Sequence, residues 1–69
     1  MIEIFRTNIS KTTDARNMVL SLMSLYPTGK ITFDLEDCDK VLRVETLRLK
    51  PDAIISLMQA SGFACEILS

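Results

Sequence analysis

Two kinds of apolar repeat alternate along this 69-residue chain, and their order restricts it to few folds. Residues 3–7 alternate between apolar and polar side chains, which is typical of a half-buried β-strand. Apolar residues then recur every three or four positions, which predicts an amphipathic helix. That stripe consists of Ala15, Met18, Val19, Leu22, Met23 and Tyr26. We predict that the helix has Thr12 or Thr13 as its N-cap and ends before Pro27.

Alternation with a period of two residues returns twice after the turn at Thr28 and Gly29. Its apolar members are Ile31, Phe33 and Leu35 in the first segment, and Leu42 and Val44 in the second. Both segments are therefore predicted to be strands, and the segment between them, residues 36–40 with three acidic side chains, predicts a hairpin turn.

A second helix is predicted from Pro51 onwards, because proline is tolerated in a first helical turn, where its missing N–H costs little. Asp52 is favourable there beside the positive end of the helix dipole. Gly62 is expected to end this helix, and residues 63–68 to form a last strand. The buried face of the helix would consist of Ile54, Ile55, Leu57 and Met58.

The predicted order of strand, helix, strand, strand, helix and strand is that of the ferredoxin-like βαββαβ sandwich. In this α+β fold, two helices cover one face of a four-stranded antiparallel sheet. We expect residues 1–69 to form one domain, with the apolar stripes of both helices consumed by its core. A chain of this length buries only roughly 60% of the surface that its unfolded form exposes, so modest stability is expected.

Composition argues against several classes of function. A net charge of −1 with interspersed signs provides no basic stripe, and four aromatic residues give little surface for stacking bases, so we expect no nucleic-acid partner. The chain contains no histidine, the side chain best suited to acid/base work near neutral pH, so we expect neither an enzyme nor a cofactor. Without a bilayer-length apolar run or a signal-peptide pattern, we expect a cytoplasmic protein with no membrane contact.

The two cysteines, Cys38 and Cys65, are expected to be free thiols, because a reducing compartment disfavours structural disulfides. Cys65 falls on the predicted last strand and is interpreted as a core residue. Cys38 falls in the acidic hairpin turn, where an accessible thiol is expected.

Four short segments resemble a known family in their order and spacing, and together they span nearly the whole chain. They are Phe5-x-Thr7-Asn8-Ile9, Phe33-Asp34-Leu35-Glu36-Asp37, Leu42-Arg43-Val44-Glu45 and Ala60-Ser61-Gly62-Phe63. In these segments the chain resembles bacterial members of the heavy-metal-associated family of small copper-chaperone domains. The resemblance implies the ferredoxin-like fold, with the hairpin turn and the exit of the second helix beside the first loop.

In that family the first loop carries two cysteines in a Cys-x-x-Cys spacing, and the corresponding residues here are Lys11 and Asp14. Copper(I) prefers soft sulfur ligands, which an ammonium and a carboxylate do not replace. One interpretation makes Lys11 a solvated loop residue and Asp14 an acid stabilised by the helix dipole. The other makes them an ion pair that imitates the charge balance of a metal-loaded loop. With its ligands lost, such a domain is expected to act by binding an unknown partner protein.

The alternative is residual heavy-metal binding, or an accessory role in metal transport, through the single thiol of Cys38. Its supporting ligands would come from the acidic residues around the hairpin turn. These are Asp34, Glu36, Asp37 and Asp39. The segment lacks the ligand spacing and the central glycine of a calcium loop.

Two surfaces are candidates for protein contact. The first, called the loop end below, consists of Ser10, Lys11, Thr12, Asp14, Cys38 and Phe63. Phe63 takes the place of an aromatic residue that shields the metal loop in bacterial relatives, and core packing explains it equally well. The second is the open face of the sheet, opposite the helices, which would support a weak homodimer or a weak partner contact. Strand alternation assigns Ile2, Ile4, Val41 and Leu68 to this face, and Phe5, Phe33, Val44 and Ile67 to the helix side.

Overall fold

The structure is a computed structural model and describes residues 1–68. Its elements follow the predicted order. They are β1 (Ile2–Thr7), α1 (Thr12–Leu25), β2 (Lys30–Asp34), β3 (Val41–Glu45), α2 (Pro51–Ala60) and β4 (Cys65–Ile67). All neighbouring strands are antiparallel, and the sheet order is β2-β3-β1-β4. The α+β, ferredoxin-like prediction is therefore confirmed.

The core lies between the sheet and the two helices, as the two periodicities predict. Phe5, Leu42 and Val44 from the central strands β1 and β3 are fully buried. The helices contribute buried residues at helical spacing, and Ile9 and Leu49 close the core from the adjoining loops. The buried helical residues are Ala15, Met18 and Leu22 from α1 and Ile54 and Met58 from α2.

The start of α1 differs from the prediction. Its N-cap is Lys11, which is extended at φ −98° and ψ 134°, and Thr12 is already the first helical residue. No side chain caps this end, because an ammonium group has no acceptor to offer the free N–H groups. Asp14 in the first turn interacts favourably with the helix dipole, and the buried stripe supplies most of the helix's stability.

The end of α2 is formed as predicted. Gly62 has a φ of +93°, a left-handed conformation that favours glycine over residues with a Cβ. The N–H of Phe63 donates to the carbonyl of Met58 at 3.0 Å, and that of Gly62 donates to the carbonyl of Gln59. These two bonds form a Schellman cap. Because Phe63 belongs to the cap, β4 begins only at Cys65 and is shorter than the predicted strand.

The expectation that the core consumes both helix stripes is wrong for α1. Met23, predicted to be a core residue, is 42% exposed, and Leu20 and Leu25 are 61% and 44% exposed. Each residue advances about 100° around a helix, and only the arc occupied by Ala15, Met18 and Leu22 faces the sheet. Apolar spacing alone did not distinguish that arc from its flanks.

Candidate functional site

The buried side chain of Thr7 joins the end of β1 to the hairpin turn between β2 and β3. Its hydroxyl donates to the carbonyl of Lys40 at 2.6 Å and accepts the N–H of Ile9 at 3.2 Å. The N–H of Thr7 also donates to the carbonyl of Asp39 at 3.1 Å. One residue therefore fixes both the path of the hairpin turn and the first step of the loop that follows β1.

Asn8 attaches the same loop to the segment that precedes β4. Its Oδ1 atom accepts the N–H of Ala64 at 2.9 Å, across 56 residues of sequence. Ile9 is fully buried and anchors the loop in the core. The first loop, the hairpin turn and the exit of α2 thus lie at one end of the molecule, as the resemblance implies.

The exposed groups of the loop end are polar. Ser10, Lys11 and Thr12 are exposed, whereas Asp14 is half-buried in the first turn of α1. Among the ion pairs of residues 1–68, none joins Lys11 to Asp14. The interpretation of these two residues as an ion pair therefore has no contact to support it. Phe63 is half-buried and packs against the core.

The hairpin turn brings together part of the predicted acidic cluster. Ligand atoms of Asp37, Cys38 and Asp39 lie within 4.8 Å of one another. Asp34 and Glu36 are not part of this group; instead, Asp34 Oδ1 accepts the N–H of Glu36 at 3.2 Å, which shapes the turn. Within the cluster, Asp37 Oδ1 already accepts the N–H of Asp39 at 2.9 Å.

Arg6 is a component of this end that the sequence patterns did not identify. Its Nε donates to Asp39 Oδ1 at 3.0 Å, and its Nη1 donates to Glu66 Oε1 at 2.9 Å. The charge of Asp39, followed by the hydrogen bond and charge of Glu66, raises the pKa of Arg6. These partners lie 33 and 60 residues away in sequence, so only the cross-strand register reveals the cluster.

The two thiols occupy different environments. Cys65 opens β4 directly opposite Thr7 and is only 7% exposed, whereas Cys38 is exposed in the turn. Burial, with a smaller effect of the neighbouring Glu66 charge, raises the pKa of Cys65 to about 11. Cys65 is thus held as a neutral core thiol, and Cys38 is the accessible one.

The strand register defines the open face of the sheet. Ile2 and Ile4 pair with Glu45 and Arg43, and Val41 pairs with Asp34, on the side opposite Phe5. Leu68 lies beside Ile4, to whose carbonyl its N–H donates at 2.9 Å. Ion pairs of Arg6 with Glu66 and of Arg43 with Glu45 lie between these apolar residues. The open face is therefore a mixed surface. On the helix side, Ile67 pairs with Phe5 but remains 44% exposed at the sheet edge.

Comparison with known proteins gave no match among family models, curated proteins or solved structures. None of the helices in residues 1–68 is long and apolar enough to cross a membrane.

We predict that a thiol reagent applied near pH 8 modifies Cys38 rapidly and Cys65 only after unfolding. Cys65 is shielded by the core, and with a pKa of about 11 only about one in a thousand of its thiols is ionised at that pH. Mass spectrometry of peptides from native and urea-unfolded samples measures the two rates. The variant Cys38→Ser should react only in urea. Equal native rates at both cysteines would contradict the position of β4.

Proposed function

We propose that this chain is a non-enzymatic protein-interaction domain of the heavy-metal-associated type that has lost the copper ligands and binds a partner protein through the loop end. The observation that carries this proposal is the fixed base of the loop. The Thr7 hydroxyl bonds it to the hairpin turn, and the Asn8 Oδ1 atom accepts the N–H of Ala64 in the segment before β4.

A loop held in this way is suited to recognition. Ordering a residue's backbone costs roughly 1–2 kcal/mol, and immobilising a long side chain costs a further ~0.5–1.5 kcal/mol on binding. Here the backbone cost is met when the domain folds, because Ile9 is buried and its N–H is bonded to Thr7. Ser10, Lys11 and Thr12 are then presented to a partner from a defined backbone.

The chemistry at this end gives little support to catalysis. The chain has no histidine, and the Cys65 thiol is buried with a raised pKa. Cys38 is exposed in the hairpin turn, beside Asp37 and Asp39. The chain has no histidine that could act as a base for the hydroxyls of Ser10 and Thr12. Binding of a partner protein, by contrast, requires neither a base nor a reactive thiol.

A second candidate is residual metal binding, favoured by the convergence of Asp37, Cys38 and Asp39 within 4.8 Å. Two carboxylates and a thiolate suit a borderline ion such as zinc better than copper(I). Asp39 is already engaged by Arg6, whose positive charge opposes that of an incoming cation. Metal binding there would have to compete with the ion pair, so we rank it second.

Because we propose that the copper ligands are lost, we predict that the reduced protein does not retain copper(I) against a competing chelator. The double variant Lys11→Cys/Asp14→Cys should gain tight binding while remaining folded, because it places two thiolates at the start of α1. Chelator competition followed by absorbance, with circular dichroism as the check on folding, measures both results. Lys11→Cys alone is the control and should bind weakly.

Two outcomes would change this assignment. A folded double variant without copper affinity would show that Lys11 and Asp14 do not correspond to the family's ligand positions. Tight metal binding by the unaltered protein that is lost in Cys38→Ser would favour the second candidate.

We also predict that the partner protein can be captured at the loop end by site-specific photo-crosslinking in cells that produce the chain. A photoreactive amino acid at Ser10 should give a discrete adduct with another protein, detected by electrophoresis and mass spectrometry. The same amino acid at Ser56, exposed on α2, is the matched control and should give none. Adducts of equal yield at the two positions, or none at Ser10, would contradict docking at the loop end.

A further inference from the structure

β2 is an outer strand of the sheet, and its sequence is complementary to itself. It pairs with β3 on one side only, so the backbone groups along its other side are free to pair with another strand. Its residues run Lys30, Ile31, Thr32, Phe33 and Asp34. We propose that two copies of this chain associate through antiparallel pairing of β2 with β2, with Thr32 at the two-fold axis.

This register places each residue of β2 opposite a residue of the second copy that is complementary to it in charge or polarity. Thr32 lies opposite Thr32, Lys30 lies opposite Asp34, and Ile31 lies opposite Phe33. Opposite charges and apolar pairs directly across antiparallel strands are favourable. Because the axis is two-fold, the Lys30–Asp34 and Ile31–Phe33 contacts each occur twice, and the assembly closes as a dimer with one continuous eight-stranded sheet.

Burial along the strand shows an incompletely covered apolar edge. Ile31 and Phe33 lie on the helix side and pair with Val44 and Leu42, which are both fully buried. Ile31 and Phe33 themselves are only half-buried, because no strand lies beyond them. A second β2 would cover this flank.

The charged residues favour one direction of pairing. Lys30 and Asp34 are exposed on the open face, and neither takes part in an ion pair within residues 1–68. Antiparallel pairing joins Lys30 of each copy to Asp34 of the other. Parallel pairing in register would place Lys30 against Lys30 and Asp34 against Asp34, which is unfavourable.

The other sheet edge does not share this property. β4 has three residues with Glu66 at its centre, so pairing of β4 with its own copy would bring two glutamates face to face. β2 is therefore the edge suited to a symmetric dimer. This inference is independent of partner docking at the loop end, because it rests on residues 30–34 alone.

The test uses charge exchange and analytical ultracentrifugation from micromolar to millimolar protein. Lys30→Asp should raise the dimer dissociation constant by about tenfold, because two attractive pairs become repulsive. Asp34→Lys should do the same. The double variant Lys30→Asp/Asp34→Lys should return towards the original value, since it restores opposite charges in the same register.

The double variant separates pairing from a local structural effect. Asp34 also accepts the N–H of Glu36, and loss of that bond would persist in the double variant. Lys50→Asp, which makes the same change of charge at an exposed residue before α2, is the control and should leave the dimer unchanged.

Disulfide cross-linking tests directly whether Thr32 lies at the two-fold axis of the dimer. In a Cys38→Ser background, Thr32→Cys should form a disulfide-linked dimer with oxidised glutathione, because Cα atoms opposite each other across antiparallel strands are about 4.5–5.5 Å apart. Ser56→Cys, on the outer surface of α2, should not. A monomer at every concentration, or a dimer disrupted by Ile4→Lys on the open face but not by the β2 variants, would overturn the proposal.

Discussion

The buried hydroxyl of Thr7 is the contact on which the arrangement of the loop end depends. It donates a hydrogen bond to the carbonyl of Lys40 and accepts one from the N–H of Ile9, so a single hydroxyl serves two backbone groups beside the core. Leaving a buried polar group unpaired costs about 1–3 kcal/mol, a large share of the stability of a small domain. The chain therefore gains a defined loop because β1 ends in a buried polar residue, Thr7, two positions after the buried Phe5.

The same packing determines which side chains at the loop end are available to react or to bind. Cys65 pairs with Thr7 across the sheet, so its thiol is covered and its pKa is raised. The hairpin turn that Thr7 holds brings Asp39 within reach of Arg6, which ties the acidic residues to the open face. The hydrogen bonds and ion pairs at this end fix the loop and the turn, which suits the polar recognition that we propose.

The sequence predicted those features that depend on near neighbours. Alternation located the strands, and Gly62 located the end of α2, because a left-handed residue is needed there. The exposure of Met23 was missed, since apolar spacing does not show how wide an arc of a helix the sheet covers. The Arg6 contacts were missed because they join residues far apart in sequence. Likewise, the self-complementary pattern of residues 30–34 indicates a dimer contact only when β2 is known to lie at an edge of the sheet.

Amide hydrogen exchange of the reduced, chelator-treated protein, measured by NMR, tests whether Thr7 holds the loop end. We expect slow exchange at Ile9 in the unaltered protein, because its N–H is buried and bonded to Thr7. Thr7→Val should accelerate that exchange and also exchange in the 36–40 turn, whereas Thr7→Ser, which keeps the hydroxyl, should preserve protection. Fast exchange at Ile9 in the unaltered protein, or equal protection in Thr7→Val, would show that the Thr7 hydroxyl does not hold the loop end.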